Sequence, residues 1–173
     1  NNSLLWQVYG NGLQQPSYLY GTIHAIPAGD YFLGKNVEKK LKSCGQLIME
    51  LDLNHVDVAA LARLSLLPDE KTVKDFVSES DYAVIRKFMA DSIGISTYNF
   101  DNAYSRFKPF YLEQFLYFKE IGQDRVAYEE VFQEMAEDRK MPVKGLETME
   151  EQLALIDTIP LDLQLSSLVD AIS

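Results

Sequence analysis

The sequence predicts an α/β domain with a mixed, partly parallel sheet and a large helical insertion. Three observations lead there. A β-type stretch, a helix-spaced segment and an almost continuous apolar strand follow one another between residues 17 and 52, the pattern of a right-handed crossover joining parallel strands. From about residue 56 to about 140 nearly everything has helical spacing. A short strand-like segment, Pro142 to Glu147, then returns.

Bulk properties set the bounds. At 173 residues, with 47% apolar and 24% charged side chains, the chain is expected to form one domain, 1–173, and not a disordered or fibrous protein. Net charge is −10, and the densest basic cluster, Lys35 to Lys42, contains Glu38. That argues against a nucleic-acid partner, which would require a dense Lys/Arg face. The single cysteine, Cys44, excludes an internal disulfide framework and a cysteine-built zinc site. No stretch approaches the roughly 18 apolar residues of a membrane span. The start, Asn1-Asn2-Ser3 without methionine, reads as a processed or trimmed chain.

Leu4 to Tyr9 reads as the first strand, followed by a Gly-Asn-Gly turn and Pro16. Residues 17 to 24 make the second, paired antiparallel with the first because the connection is too short for a crossover. Alternation puts Tyr18, Tyr20, Thr22 and His24 on one face. A helix is expected over about 34–43, and Gln46 to Asp52 is the apolar third strand. Asp57 to Leu66 is helical, and Ser78 with Asp81 caps a helix to about Ser92. The aromatic stretch of Phe107, Phe110, Tyr111, Phe115, Tyr117 and Phe118 reads as helical core or as a hydrophobic substrate groove. A helix over about 126–140 buries Tyr128, Val131, Phe132 and Met135. Thr148 caps a helix with Glu150 and Glu151 in its first turn, and a last helix follows Pro160.

Four residues stand out at the ends of these strands. His24 closes the second, Glu50 and Asp52 leave the third on one face, and Glu147 closes the short strand. In a parallel sheet they would gather at the carboxyl edge, where ligands bind. One histidine with several carboxylates suits a divalent ion of the Mn, Co or Zn kind, and equally suits general acid–base chemistry without metal. His24 could instead be a structural imidazole. Glu50 interrupts an apolar strand, and burying an unpaired carboxylate is costly, so it calls for a partner or an open cleft. Asp52, with Asn54, could simply shape a turn, and Glu147 could be a helix-entry acid. His55, at a polar loop start, reads as solvent-facing, and Cys44 as a small packing residue.

The set of segments Leu4-Leu-Trp-Gln7, Tyr18-Leu-Tyr-Gly-Thr-Ile-His24, Met49-Glu-Leu-Asp52 and Pro142-Val-Lys-Gly-Leu-Glu-Thr148 with Glu151-Gln152 resembles the TraB/GumN family, which includes TIKI metalloproteases and PrgY-type pheromone-shutdown proteins. The resemblance covers nearly the whole chain and is weakest in the helical middle. It implies an erythromycin-esterase/ChaN-like fold and a metal-dependent hydrolase, a peptidase acting through metal-activated water, with Mn²⁺, Co²⁺ or Zn²⁺ as cofactor. It makes His24 and Glu50 metal ligands, Glu50 and Glu147 catalytic, and Gly21, Thr22 and Asp52 supporting residues. The substrate expected is a peptide or small molecule, with Phe110, Tyr111 and Phe115 as its groove. ChaN-like folds also imply an alternative, a non-catalytic module that sequesters a peptide or haem. The family's second Gly-x-x-His motif is absent, since no histidine follows His55; the chain is therefore expected to be the front part of a longer domain. An exported location goes with the resemblance.

Overall fold

A computed structural model describes residues 3–52, 54 and 56–172. His55, expected to face solvent, lies outside the described residues. The chain divides into two compact units, Asn1–Asn54 with Ile121–Leu146, and His55–Glu120 with Glu147–Ser173.

The first unit carries the strands. β1 (Leu5–Val8) and β2 (Ser17–Tyr20) form an antiparallel hairpin in which Leu5 faces Tyr20 and Val8 faces Ser17. The turn between them holds Gly10, Asn11 and Gly12 at φ of 101, 47 and 82°, left-handed backbone that glycine and asparagine tolerate and β-branched residues do not. Alternation in β2 half-buries Tyr18 and Tyr20 and exposes Ser17 and Leu19, as the sequence predicts.

The second strand does not reach His24. It stops at Tyr20, and the Gly21 N–H bonds the Leu4 carbonyl at 2.9 Å. The chain then bends and takes a new partner, because β3 (Ile26–Pro27) pairs antiparallel with β5 (Arg125–Val126). His24 therefore sits in a bend between two strands.

α1 (Lys35–Ser43) follows, with Lys40 and Lys42 in its last turn, where the helix dipole favours cations. It leads into β4 (Leu47–Leu51). The expected crossover placing β4 beside the second strand is not formed: β4 pairs with β6 (Val143–Glu147) in a parallel pair, and β2 stays with β1. The parallel partner of β4 comes from far along the chain. β4 alternates, with Met49 buried and its neighbours Ile48 and Glu50 exposed.

α6 (Tyr128–Glu137) closes the core of this unit. Its buried residues Tyr128, Phe132 and Ala136 recur every four positions, the spacing of one helix face. Tyr128 and Phe132 pack with Met49, and Tyr20, Tyr31, Val37 and Leu41 gather around them. The Tyr20 and Phe132 rings meet edge to face at 5.6 Å, a favoured aromatic geometry. The buried Tyr128 hydroxyl donates to the Phe32 carbonyl at 3.0 Å.

The second unit is helical. Asp57 caps α2 (Val58–Leu64), accepting from the Ala59 and Ala60 N–H groups. Ser78 caps α3 (Glu79–Phe88), which runs on through a wider turn to Ile93 and ends at Gly94, φ 85°. α4 (Thr97–Asn102), capped by Ser96, went unread in the sequence because it is only two turns long. α5 (Pro109–Ile121) starts on a proline, which has no N–H to leave unpaired. Thr148 and Glu151 form a reciprocal capping box on α7 (Met149–Ile156), and α8 (Leu161–Ile172) follows Pro160. Val73, Ile85, Met89, Phe100, Leu112 and Leu168 make a core with no solvent exposure.

Candidate functional site

The first unit contains an open cleft of about 720 Å³. Its floor is β4, from Leu47 to Glu50; one wall is α1 through Val37, Lys40 and Leu41, and another is Tyr18, Tyr20 and the 22–24 bend. Glu129 and Phe132 of α6 also line it. Most of this surface is apolar or aromatic. Its polar and ionisable groups include Ser17, Thr22, His24, Lys40, Gln46, Glu50 and Glu129. Such a combination, an apolar hollow with a few polar groups, is the usual form of a ligand site.

His24 and Glu50 thus line one cleft, and both are exposed. The explanation for a carboxylate inside an apolar strand is geometric. Alternation turns Glu50 to the open face of β4 while Met49 takes the covered one, so no charge is buried. Thr22 donates its hydroxyl to Glu129 Oε1 at 2.7 Å. The Lys40 ammonium lies over the Tyr18 ring, 5.1 Å from its centre. Burial, with the neighbouring phenols of Tyr128 and Tyr31 adding to it, pushes the Tyr20 hydroxyl above the ordinary tyrosine range, so it is neutral across physiological pH.

The other residues singled out in the sequence lie elsewhere. Asp52 follows β4 and accepts the Asn54 N–H at 3.1 Å, a side-chain-to-backbone turn of the kind its position suggested. Gly21 borders the cleft-lining bend, and a Cβ there would meet Leu4 at an ordinary 3.6 Å. Glu147 is the exposed last residue of β6, next to the Thr148 cap. Phe110, Tyr111 and Phe115 belong to α5. Phe115 packs on the helical core, and none of the three lines the cleft of the first unit. Glu129 and Lys40 were missed. Their helices were legible, but which helix face would meet the 22–24 bend was not.

Metal binding demands a fuller set of donors. His24, Cys44, Glu50 and Glu129 all line the cleft, yet among the described residues no three His, Cys, Asp or Glu side chains converge as metal ligands. A catalytic metal takes about three protein ligands, so the described residues do not fit one by themselves.

The sequence profile of the TraB/PrgY/gumN family matches residues 4–173. The chain belongs to the TraB/PrgY/gumN family. No curated protein sequence matches it, and no solved structure does. The erythromycin-esterase/ChaN-like architecture therefore rests on resemblance, while the mixed α/β class and the parallel pair are features of this family member itself. Among its described residues, no helix is long and apolar enough to cross a membrane.

Proposed function

We propose that this TraB/PrgY/gumN family member is a hydrolase acting on peptides, with its reactive groups on the cleft of the first unit. One observation carries the reading: His24 and Glu50, singled out from sequence for their chemistry, line the same cleft. Glu50, open to solvent on β4, takes the proton of the attacking water. His24 donates a proton to the leaving amine, so the two residues share the proton traffic of one acyl-transfer step. Tyr18, Tyr20, Phe132 and Ile48 supply the apolar surface that holds a side chain of the substrate. The family resemblance adds a divalent ion; the described residues do not complete its ligand set, so no step is assigned to it. An exported location belongs to the same reading, and fractionation of cells producing the native protein tests it.

The experiment is turnover of a mixed peptide library, read by mass spectrometry, for the protein and for Glu50→Gln and His24→Ala. Loss of a general base costs on the order of 10²–10⁴-fold; a Glu50→Gln variant with full turnover sinks the proposal. Calorimetry with Mn²⁺, Co²⁺ and Zn²⁺ decides the metal. Stoichiometric binding abolished by His24→Ala brings an ion into the site, and identical isotherms leave the chemistry to side chains.

A second reading is a binding module that sequesters a ligand, favoured by the apolar, aromatic lining of the cleft. It moves the ligand from the 107–118 stretch to the surface around Tyr20 and Phe132. Under it no peptide is cut, and Phe132→Ala weakens capture while Glu50→Gln leaves it intact.

A further inference from the structure

The Thr22–Glu129 contact has a role beyond packing. Thr22 belongs to the same bend as His24, a segment in neither strand nor helix. A side chain in such a segment is only as well oriented as the contacts that hold its backbone. Glu129 stands in the first turn of α6, a helix whose N-cap, Ala127, supplies no side-chain acceptor. A carboxylate is favoured there by the helix dipole. Rather than turning back to cap the helix, its Oε1 accepts the Thr22 hydroxyl at 2.7 Å, a hydrogen bond strengthened by the charge of the acceptor. α6 is itself anchored, because Tyr128 and Phe132 on either side of Glu129 are buried in the core of the unit. The contact therefore ties the bend to the most firmly packed helix of that unit.

We infer that Glu129 is a positioning residue: by holding Thr22 it fixes the bend and aims the His24 imidazole into the cleft. This rests on the hydrolase reading for its consequence in turnover, though not for its geometry. Glu129 acts through Thr22 and is assigned no proton transfer of its own.

The test uses Thr22→Val, which keeps the shape and removes the donor, and Thr22→Ser, which restores the donor. Glu129→Ala and Glu129→Gln remove and retain the acceptor in the same way. Thr22 is exposed, so its variants are expected to fold, and thermal melting confirms it. The first readout is the His24 ring signal by NMR at one fixed pH, assigned by comparison with His24→Ala. Thr22→Val and Glu129→Ala shift or broaden it, while Thr22→Ser and Glu129→Gln return it to the position of the unaltered protein. The second is turnover of a cleaved library peptide: misplacing a catalytic group costs on the order of 10²-fold, here in kcat with KM unchanged. A His24 signal in Thr22→Val that superimposes on the parent overturns the inference. If no peptide is cut by any form, the hydrolase reading falls, and the NMR comparison alone still decides the positioning.

Discussion

Arg86 grips Asp101 with two nitrogens, Nε at 2.8 and 2.9 Å from the carboxylate oxygens and Nη2 at 2.8 Å from Oδ2. The pair joins α3 to α4 in the helical unit, and the Tyr82 hydroxyl adds a third donor at 2.9 Å. Arg86 first, and Tyr82 after it, hold the Asp101 carboxyl below the ordinary aspartate range. A lowered folded pKa adds stability above the unfolded value and loses it as pH falls through the folded one. Asp101→Asn should therefore be less stable than the parent near neutrality, with the gap narrowing in acid. Urea midpoints at several pH values check this, and a pH-independent gap would refute it.

Tyr82 gives the opposite window. Burial, and then its bond to Asp101, push its hydroxyl up to about 12. A raised folded pKa means the contribution is whole below the unfolded value of 10.0 and drains away as pH climbs to about 12. Tyr82→Phe should flatten the fall in stability over that range relative to the parent. Denaturant curves taken in alkaline buffers read the difference.

Phe100 is fully buried among Ile85, Met89 and Leu112. Phe100→Ala leaves a cavity that its neighbours close only in part and should cost about 3–5 kcal/mol. Chemical denaturation followed by far-UV circular dichroism measures it.

Thr148 accepts the Glu151 N–H at 3.2 Å, and the Glu151 carboxylate accepts the Thr148 N–H at 2.8 Å. Thr148→Ala should lose about 1 kcal/mol, and Glu151→Gln, which keeps an acceptor, less. Equal losses in the two variants would contradict the reciprocal cap.

Exposure separates function from stability in the cleft. His24 and Glu50 are both exposed, and surface substitutions usually shift stability by less than about 0.5 kcal/mol. His24→Ala and Glu50→Gln should melt with the parent even where turnover is lost. A large drop in melting temperature for either would mean that the residue serves the fold instead.

The helices were largely legible because their signals are local. Ser78, Asp57 and Thr148 announce their caps, Pro109 and Pro160 mark helix starts, and the Tyr128–Phe132–Ala136 spacing defines a buried stripe. The strands were legible as segments but not as a sheet. Alternation correctly paired Tyr18 with Tyr20, yet carried on to His24 it failed, since Gly21 marks a weak point in the strand without saying whether the ladder ends there or only bends. β5 is two residues long, too short for any periodicity to show. Asp52 gave its turn role away through Asn54, whereas Glu129 gave no sign of its bond to Thr22.

By itself the sequence determined the family, whose profile matches residues 4–173, the mixed α/β class, and the chemistry available at His24 and Glu50. Those depend on residue identity and short-range spacing, which a chain carries whether or not it is folded. Only the tertiary structure decided that β4 pairs with β6 instead of β2, that Glu50 is exposed and lines the same cleft as His24, and that Glu129 reaches Thr22 from 107 residues away. Strand partners and cross-chain contacts are chosen by which faces the whole core can cover, and no local stretch of sequence records that choice.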